Sequence, residues 1–141
     1  MNTIVSIPAA AATGMQFVQQ VRTGLPTAEA QRQVRQLAVE LDLTLGDMSG
    51  ILATAERTFA RQLSADKALA LNKSQAERLL LLQLLAAHGL AVFEDQGKFN
   101  RWLRRPLPVL QQQSPLQLLD TVTGFRVVDQ LLGRMEHGVY S

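Results

Sequence analysis

The sequence predicts an all-α protein. Its 141 residues include 24 Leu and 17 Ala, against 14 Val and Ile together. Straight-chain and small side chains keep most of their rotamer freedom in a helix, whereas β-branched side chains lose it. Apolar residues also recur at intervals of three and four, which is the spacing of one helix face. The chain has no cysteine, so disulfides, thiol nucleophiles and cysteine-bound metals are excluded.

Residues 1–23 are expected to form a flexible N-terminal arm. Met1 to Met15 contain short apolar runs and an alanine stretch, but no Lys or Arg that would form the positive start of a signal peptide. We therefore expect this segment to be disordered. Absence of cysteine suits a reducing compartment, and we expect a cytoplasmic protein.

Two short helices are predicted at the start of a unit that covers residues 24–73. The first begins near Pro26-Thr27, and one face of it carries the apolar residues Val34, Leu37, Ala38 and Leu41. Thr44 is placed to cap the second helix. Asp47 then lies in its first turn, where an acid interacts well with the exposed N–H groups and the helix dipole.

A third helix is predicted from Glu56 to Leu63, with Phe59 and Leu63 on its buried side. The opposite arc holds side chains that reach phosphates and base edges, namely Thr54, Arg57, Thr58 and Arg61. Three short helices with this arc match a helix-turn-helix, whose last helix enters the major groove of DNA. A solvated face on an ordinary three-helix unit explains the pattern equally well.

The next predicted unit is a connecting helix over residues 74–93, which opens with a capping box at Ser74 to Glu77. Its run from Leu79 to Phe93 is apolar on more than one face and shorter than the ~20 residues that span a bilayer. We interpret it as a core helix or as one shared with a protomer interface, not as a membrane helix. For His88 within it, a hydrogen-bonded core histidine is favoured over a catalytic base.

Residues 94–141 predict a small helical C-terminal domain. Lys98 to Arg105 form an amphipathic turn that places Phe99, Trp102 and Leu103 opposite the bases Lys98, Arg101, Arg104 and Arg105. This basic arc fits nucleic acid, an acidic protein or, preferentially, solvent. Ser114 with Gln117 predicts a helix start, and Thr123 is expected to cap the last helix, which Gly138 ends.

No motif in the chain indicates an enzyme. The phosphate-binding, nucleophile-elbow and zinc-hydrolase patterns GxGxxG, GxxxxGK[ST], GxSxG and HExxH do not occur. The two histidines do not form a metal pair. We therefore expect a binding protein that needs neither metal nor cofactor.

The stretch from Trp102 to Ser141 closely resembles the C-terminal toxin-binding domain of Xre/MbcA/ParS-type antitoxins. The shared features are Trp102-Leu103, Pro106, Pro108, Ser114-Pro115-Leu116, Leu118 to Thr121, Gly124, Leu131-Leu132, Arg134 and an ending with Glu136, Gly138, Val139 and Tyr140. Upstream, Leu45 to Gln62 resembles the helix-turn-helix of the same family. The resemblance covers residues 24–141.

The resemblance implies an all-helical antitoxin that dimerises, assembles into a hetero-oligomer with a RES-domain toxin acting on NAD, and represses its own operon by binding operator DNA. It also implies that the C-terminal end obstructs the NAD pocket of the toxin. Carried to this chain, the implied toxin-binding residues are Arg134, Glu136, His137, Gly138, Val139, Tyr140 and Ser141. A terminal Tyr-Ser pair with a free carboxylate is an aromatic and anionic group that fits such a pocket.

The sequence departs from the family pattern in the turn before the third helix. Ala53 stands where glycine is usual, and Glu56 places an acid beside Arg57. We therefore expect one protomer to bind DNA weakly and a pair to bind two half-sites. The alternative function is a stand-alone helix-turn-helix regulator that uses the C-terminal domain only for self-association.

Overall fold

The computed structural model describes residues 10–24, 27–64 and 69–138, and every regular element within these ranges is a helix. The prediction of an all-α fold is thereby confirmed. The α-helices are α1 (Ala10–Thr23), α2 (Thr27–Glu40), α3 (Leu45–Ile51), α4 (Glu56–Ser64), α5 (Lys73–Phe93), α6 (Gln96–Leu103) and α7 (Val122–Glu136). Two 3-10 helices, Pro108–Leu110 and Pro115–Asp120, lie between α6 and α7.

Helices α2, α3 and α4 form at the predicted positions. The capping box of α3 is complete, because Asp47 N–H donates to Thr44 Oγ1 over 3.0 Å and Thr44 N–H donates to Asp47 Oδ2 over 2.9 Å. The turn between α3 and α4 places Ala53 at a φ of 57°. This is the left-handed region that glycine adopts without steric cost and that alanine rarely adopts.

Helix α5 begins at a different cap from the predicted one. Its N-cap is Asn72, which accepts from Gln75 N–H over 2.8 Å, while Gln75 Oε1 accepts from Asn72 N–H over 3.1 Å. The predicted box at Ser74 to Glu77 is wrong, because Asn is as strong an N-cap as Ser and Gln closes the box as Glu does. Ser74 lies inside the first helical turn.

The following turn and α6 build an aromatic cluster against α5. Phe99 and Trp102 are buried on α6, as predicted, and their ring centroids lie 6.1 Å apart. Phe93, at the end of α5, lies 5.7 Å from Phe99 and 5.5 Å from Trp102. These rings fix α6 on the last turns of α5.

The start of α7 also differs from its prediction. Ser114 and Gln117 form the expected capping box, although the helix that follows is a 3-10 helix. Helix α7 is capped by Thr121, whose Oγ1 accepts from Gly124 N–H over 2.9 Å. The prediction that Thr123 caps α7 is wrong. The 3-10 helix ends at Asp120, and Thr121 then has the extended backbone conformation that an N-cap requires.

Part of the predicted N-terminal arm is helical. The expectation of a disordered arm is wrong for Ala10–Thr23, which forms α1 and packs against α5. The signal in the sequence was the spacing of Phe17 and Val21, four residues apart, among good helix formers. Residues 1–9 lie outside the described residues.

One hydrophobic core runs through the units proposed as residues 24–73, 74–93 and 94–141. Its buried members extend from Val34 on α2, through Phe59 on α4 and Leu82 on α5, to Leu132 on α7. The core therefore holds two outward surfaces in place: the free side of α4 and the C-terminal end of α7.

Candidate functional site

The free side of α4 carries the side chains predicted to contact DNA. Phe59 is buried, whereas Arg57 and Arg61 are exposed one turn apart. Thr58 is half-buried on the helix, and Thr54 is half-buried in the turn before it. The arrangement provides two cations and two hydroxyl groups at the start of an exposed helix, which suits phosphate and base-edge contacts.

Glu56 lies close to α3. A Cβ atom on Gly46, in the first turn of α3, would lie 3.1 Å from Glu56 Oε1. An acid near the start of a helix interacts favourably with the helix dipole. Glu56 thus lies at the start of α4 and beside the first turn of α3, next to Arg57 in sequence.

The end of α7 presents part of the predicted toxin-binding set. Arg134, Glu136, His137 and Gly138 are exposed, and Arg134 and His137 line a shallow depression together with Gln130 and Gly133. Gly138 adopts a φ of 72°, and its N–H donates to Met135 O over 3.1 Å. The remaining predicted residues, Val139, Tyr140 and Ser141, lie outside the described residues.

A histidine between two carboxylates links α5 to this end of α7. His88 Nδ1 lies 2.6 Å from Asp129 Oδ1, and Nε2 lies 3.1 Å from Glu136 Oε1. The hydrogen bonds predicted for His88 are present. However, the side chain keeps 21% of its surface exposed. Its partners are distant in sequence, so no local signal identified them.

The pKa of His88 is raised above its ordinary value. Burial alone would lower it, but the hydrogen bonds and charges of Asp129 and Glu136 more than offset burial by favouring the imidazolium form. Since the folded-state pKa lies above the unfolded one, this contact stabilises the protein below about pH 6.5. The stabilisation is lost as the pH rises through the folded-state pKa.

We expect His88→Gln to reduce the stability of the protein at pH 5.5 more than at pH 8.5. The difference is expected to stay below about 1 kcal/mol, because the carboxylates are solvent-exposed. Urea unfolding of both proteins at the two pH values measures it. His137→Gln is the matched control, since it removes the other histidine of the chain. An equal loss at both pH values would contradict the proposed link.

An open apolar groove of about 610 Å³ lies between α1, α5 and α7. Its walls include Phe17 and Val21 from α1, Leu81 and Leu84 from α5, and Val122 from α7. Leu84 is 43% exposed. Helix α5 thus packs into the core on one side and exposes apolar side chains on another. This arrangement is compatible with a core helix and with a helix shared between the core and a protomer interface.

By length and composition α5 is apolar enough to cross a membrane. However, its residues Ala76, Leu79, Leu80, Leu82, Leu85 and Gly89 are buried inside the protein. We therefore interpret α5 as a core helix. Among residues 10–24, 27–64 and 69–138, no cluster of His, Asp or Glu has a geometry that holds a metal ion.

A family model matches the C-terminal part of the chain, and several known proteins are similar to it. Residues 88–138 match the family described as Antitoxin Xre/MbcA/ParS C-terminal toxin-binding domain. The Antitoxin Xre of Photorhabdus laumondii is 31% identical over 97 residues, which are 68% of this chain and 64% of that protein. The Antitoxin Xre of Yersinia enterocolitica is 47% identical over 47 residues, 33% of this chain and 32% of its own length.

A third relative extends the similarity over most of the chain. The Prs ADP-ribosylating antitoxin of a Sphingobium species is 25% identical over 130 residues, which are 86% of this chain and 78% of that protein. This chain therefore covers less than two thirds of the two Antitoxin Xre proteins but most of the Sphingobium relative. Residues 88–138 of this chain, which match the family model, contain α6, both 3-10 helices and α7. Residues 88–138 of this chain are therefore similar to the C-terminal toxin-binding domain of the Xre/MbcA/ParS antitoxins.

Proposed function

We propose that the protein is the antitoxin of a type II toxin-antitoxin system, a cytoplasmic binding protein and not an enzyme. The observation that carries this proposal is the family match of residues 88–138, which end at the exposed tip of α7. The core fixes α7 through Phe125, Val128 and Leu132. A partner therefore meets a preformed helix end, which lowers the entropic cost of binding.

The proposed partner is a RES-domain toxin that acts on NAD, and the C-terminal end of this chain blocks its active site. Arg134 and His137 offer hydrogen-bond donors at the rim of the shallow depression at the end of α7. The name of the Sphingobium relative includes ADP-ribosylation, a reaction that takes its ADP-ribose from NAD. This name agrees with a toxin of that substrate class.

Removing the last three residues is the first test. A variant that ends at Gly138 is expected to keep the circular dichroism spectrum and melting temperature of the full chain, because the core ends at α7. It is expected to bind the toxin encoded beside it at least about tenfold more weakly and to protect cells poorly. Isothermal titration calorimetry and growth during toxin expression measure the two effects.

A pair of charge reversals on α7 supplies the control. Arg134→Glu, at the proposed interface, is expected to weaken toxin binding, whereas Arg126→Glu, exposed near the start of the same helix, is expected to leave it unchanged. Full protection by the chain that ends at Gly138 would rule out the blocking role of the C-terminal end.

We further propose that the toxin-antitoxin complex represses its own operon through α4. The support is the exposed pair Arg57 and Arg61 beside Thr54 and Thr58. The double variant Arg57→Glu, Arg61→Glu is expected to weaken operator binding by more than about tenfold, because it replaces phosphate-seeking cations with anions. Fluorescence anisotropy across a range of salt concentrations measures both the affinity and the number of phosphate contacts.

The matched control for α4 lies on α6. Arg101→Glu with Arg105→Glu makes the same change of net charge at exposed positions. The Arg101→Glu, Arg105→Glu variant is expected to bind the operator with the same salt dependence as the wild type. Only the small loss of affinity that its more negative net charge causes at long range is expected. If both double variants bind alike, recognition does not reside on α4.

A second candidate function is a stand-alone regulator that uses its C-terminal half for self-association. The exposed apolar groove between α1, α5 and α7 favours it, because such surface suits a homodimer. A homodimer is also part of the antitoxin proposal. Co-purification distinguishes the two: the antitoxin isolates with the protein encoded beside it, and the regulator isolates as a homo-oligomer alone.

A further inference from the structure

Side chains from the C-terminal half bind both ends of α3, the helix that precedes the DNA-reading helix. At the start of α3, Arg104 Nη2 lies 2.9 Å from Asp47 Oδ2 and also donates to the main-chain oxygen of Asp42. At its end, Arg78 Nη1 donates to the main-chain oxygen of Ile51 over 3.4 Å. Arg104 is the C-cap residue of α6 and Arg78 lies on α5, so each end of α3 is bound by a different part of the C-terminal half.

Asp47 joins this contact to the local fold. Its Oδ2 atom also accepts from Thr44 N–H in the capping box of α3. Burial alone would raise the pKa of the Asp47 carboxyl, but hydrogen bonds from Thr44 and Arg104 lower it below its ordinary value. The carboxylate is therefore ionised at neutral pH. Its Oδ2 atom takes part in the capping box of α3 and also binds Arg104.

Arg78 continues the connection towards α7. Its Nη1 atom also donates to the main-chain oxygen of Asp120 over 2.9 Å. Asp120 ends the second 3-10 helix, and the next residue, Thr121, caps α7. One guanidinium thus joins the last residue of α3 to the residue immediately before the N-cap of the toxin-binding helix.

Packing alone does not account for a guanidinium at this junction. Arg78 is half-buried, and its Nε atom is the one buried side-chain nitrogen or oxygen without a hydrogen-bond partner among the described residues. A buried donor without a partner is unfavourable, so a methionine of similar length would fill the space with less desolvation. What only the arginine supplies is a directional bond to two main-chain oxygens, and directional bonds define one arrangement of the packed elements.

We propose that Arg78 and Arg104 are positioning residues that fix the orientation of α4 relative to α7, so that an assembled pair of protomers presents its two α4 helices at one spacing. This inference rests on the proposed binding of operator DNA. A helix-turn-helix pair reads two half-sites whose separation mirrors the separation of its recognition helices. Loosening α3 on the C-terminal half therefore relaxes the choice of half-site spacing while α4 keeps its side chains.

The first experiment tests the orientation in the free protein, without DNA. The chain has no cysteine, so Ser64→Cys on α4 and Gln130→Cys on α7, both exposed, accept spin labels specifically. Electron-electron double resonance is expected to give a narrow distance distribution, which broadens in the Arg78→Met, Arg104→Met variant. Arg101→Met with Arg105→Met is the matched control and is expected to leave the distribution narrow.

The second experiment tests operator choice with the toxin-antitoxin complex. Fragments carry the native operator or one with one, two or three base pairs inserted between half-sites. Arg78→Met with Arg104→Met is expected to lose about tenfold in affinity for the native spacing and to discriminate little among the others, at unchanged toxin affinity. The single variant Arg104→Lys retains Arg78 and keeps a positive charge beside Asp47. It is expected to discriminate among the half-site spacings better than the Arg78→Met, Arg104→Met variant does.

The outcomes distinguish the positioning role of Arg78 and Arg104 from the proposed binding of operator DNA. A distance distribution that stays narrow in the Arg78→Met, Arg104→Met variant overturns the positioning role whatever the operator results are. Unchanged discrimination among spacings overturns its consequence for DNA. If the distribution broadens but the wild-type complex does not bind its operator, the proposed repressor function fails and the conformational role of the two arginines stands.

Discussion

The Gly124→Ala variant is expected to lose more than about 4 kcal/mol of unfolding free energy, a large part of the stability of a chain of this size. Gly124 lies in the first turn of α7, against the second 3-10 helix. A Cβ atom there would overlap the main-chain oxygen of Leu118, and would lie 2.6 Å from its carbonyl carbon and 3.1 Å from Thr121 Oγ1. A main-chain carbonyl cannot rotate away as a side chain does, so the helix must shift from its cap.

Gly133→Ala is the matched control on the same helix. A Cβ atom at Gly133 meets nothing within 4 Å. Alanine is therefore expected to stabilise α7 by about 0.5–1 kcal/mol, because it restricts the unfolded chain and favours helix. Urea unfolding monitored by circular dichroism measures both variants. A Gly124→Ala protein that unfolds at the wild-type urea concentration would contradict the structure at this contact.

Local sequence signals identified most helices and two of their caps, since these depend on neighbours along the chain. Thr44 as the cap of α3 and the box of Ser114 with Gln117 were predicted because the groups involved in each lie within one helical turn. Thr121 was missed because Thr123 offers the same chemistry. Only the end of the preceding 3-10 helix decides which threonine is extended.

Contacts between distant segments could not be predicted from the sequence. His88 is bound by Asp129 and Glu136, which are 41 and 48 residues away. The exposed side of α4, in contrast, follows from helical spacing within nine residues, and Arg57 and Arg61 lie where the sequence analysis placed them. The Arg78 and Arg104 contacts were missed for the same reason as those of His88.

Gly89→Ala is expected to destabilise the protein by about 2–3 kcal/mol, although alanine is the better helix former. Gly89 is buried in α5 directly beneath Phe99, and a Cβ atom there would overlap Cζ and Cε1 of its ring. The ring cannot move aside, because its surface is completely buried and it packs against Phe93 and Trp102. Gly50→Ala, in a helix with free space around the new methyl group, is the control and is expected to change stability by less than about 1 kcal/mol.

A double-mutant cycle tests whether the cost arises at the Phe99 ring. Phe99→Leu alone is expected to cost about 1–2 kcal/mol, since the smaller side chain leaves a cavity beside α5. Combined with Gly89→Ala, the new methyl group occupies part of that cavity. The double variant is therefore expected to be more stable than the sum of the single changes predicts by at least about 1 kcal/mol. Additive losses in urea unfolding would mean that Gly89 is required for a reason other than its contact with Phe99, such as a bend in α5.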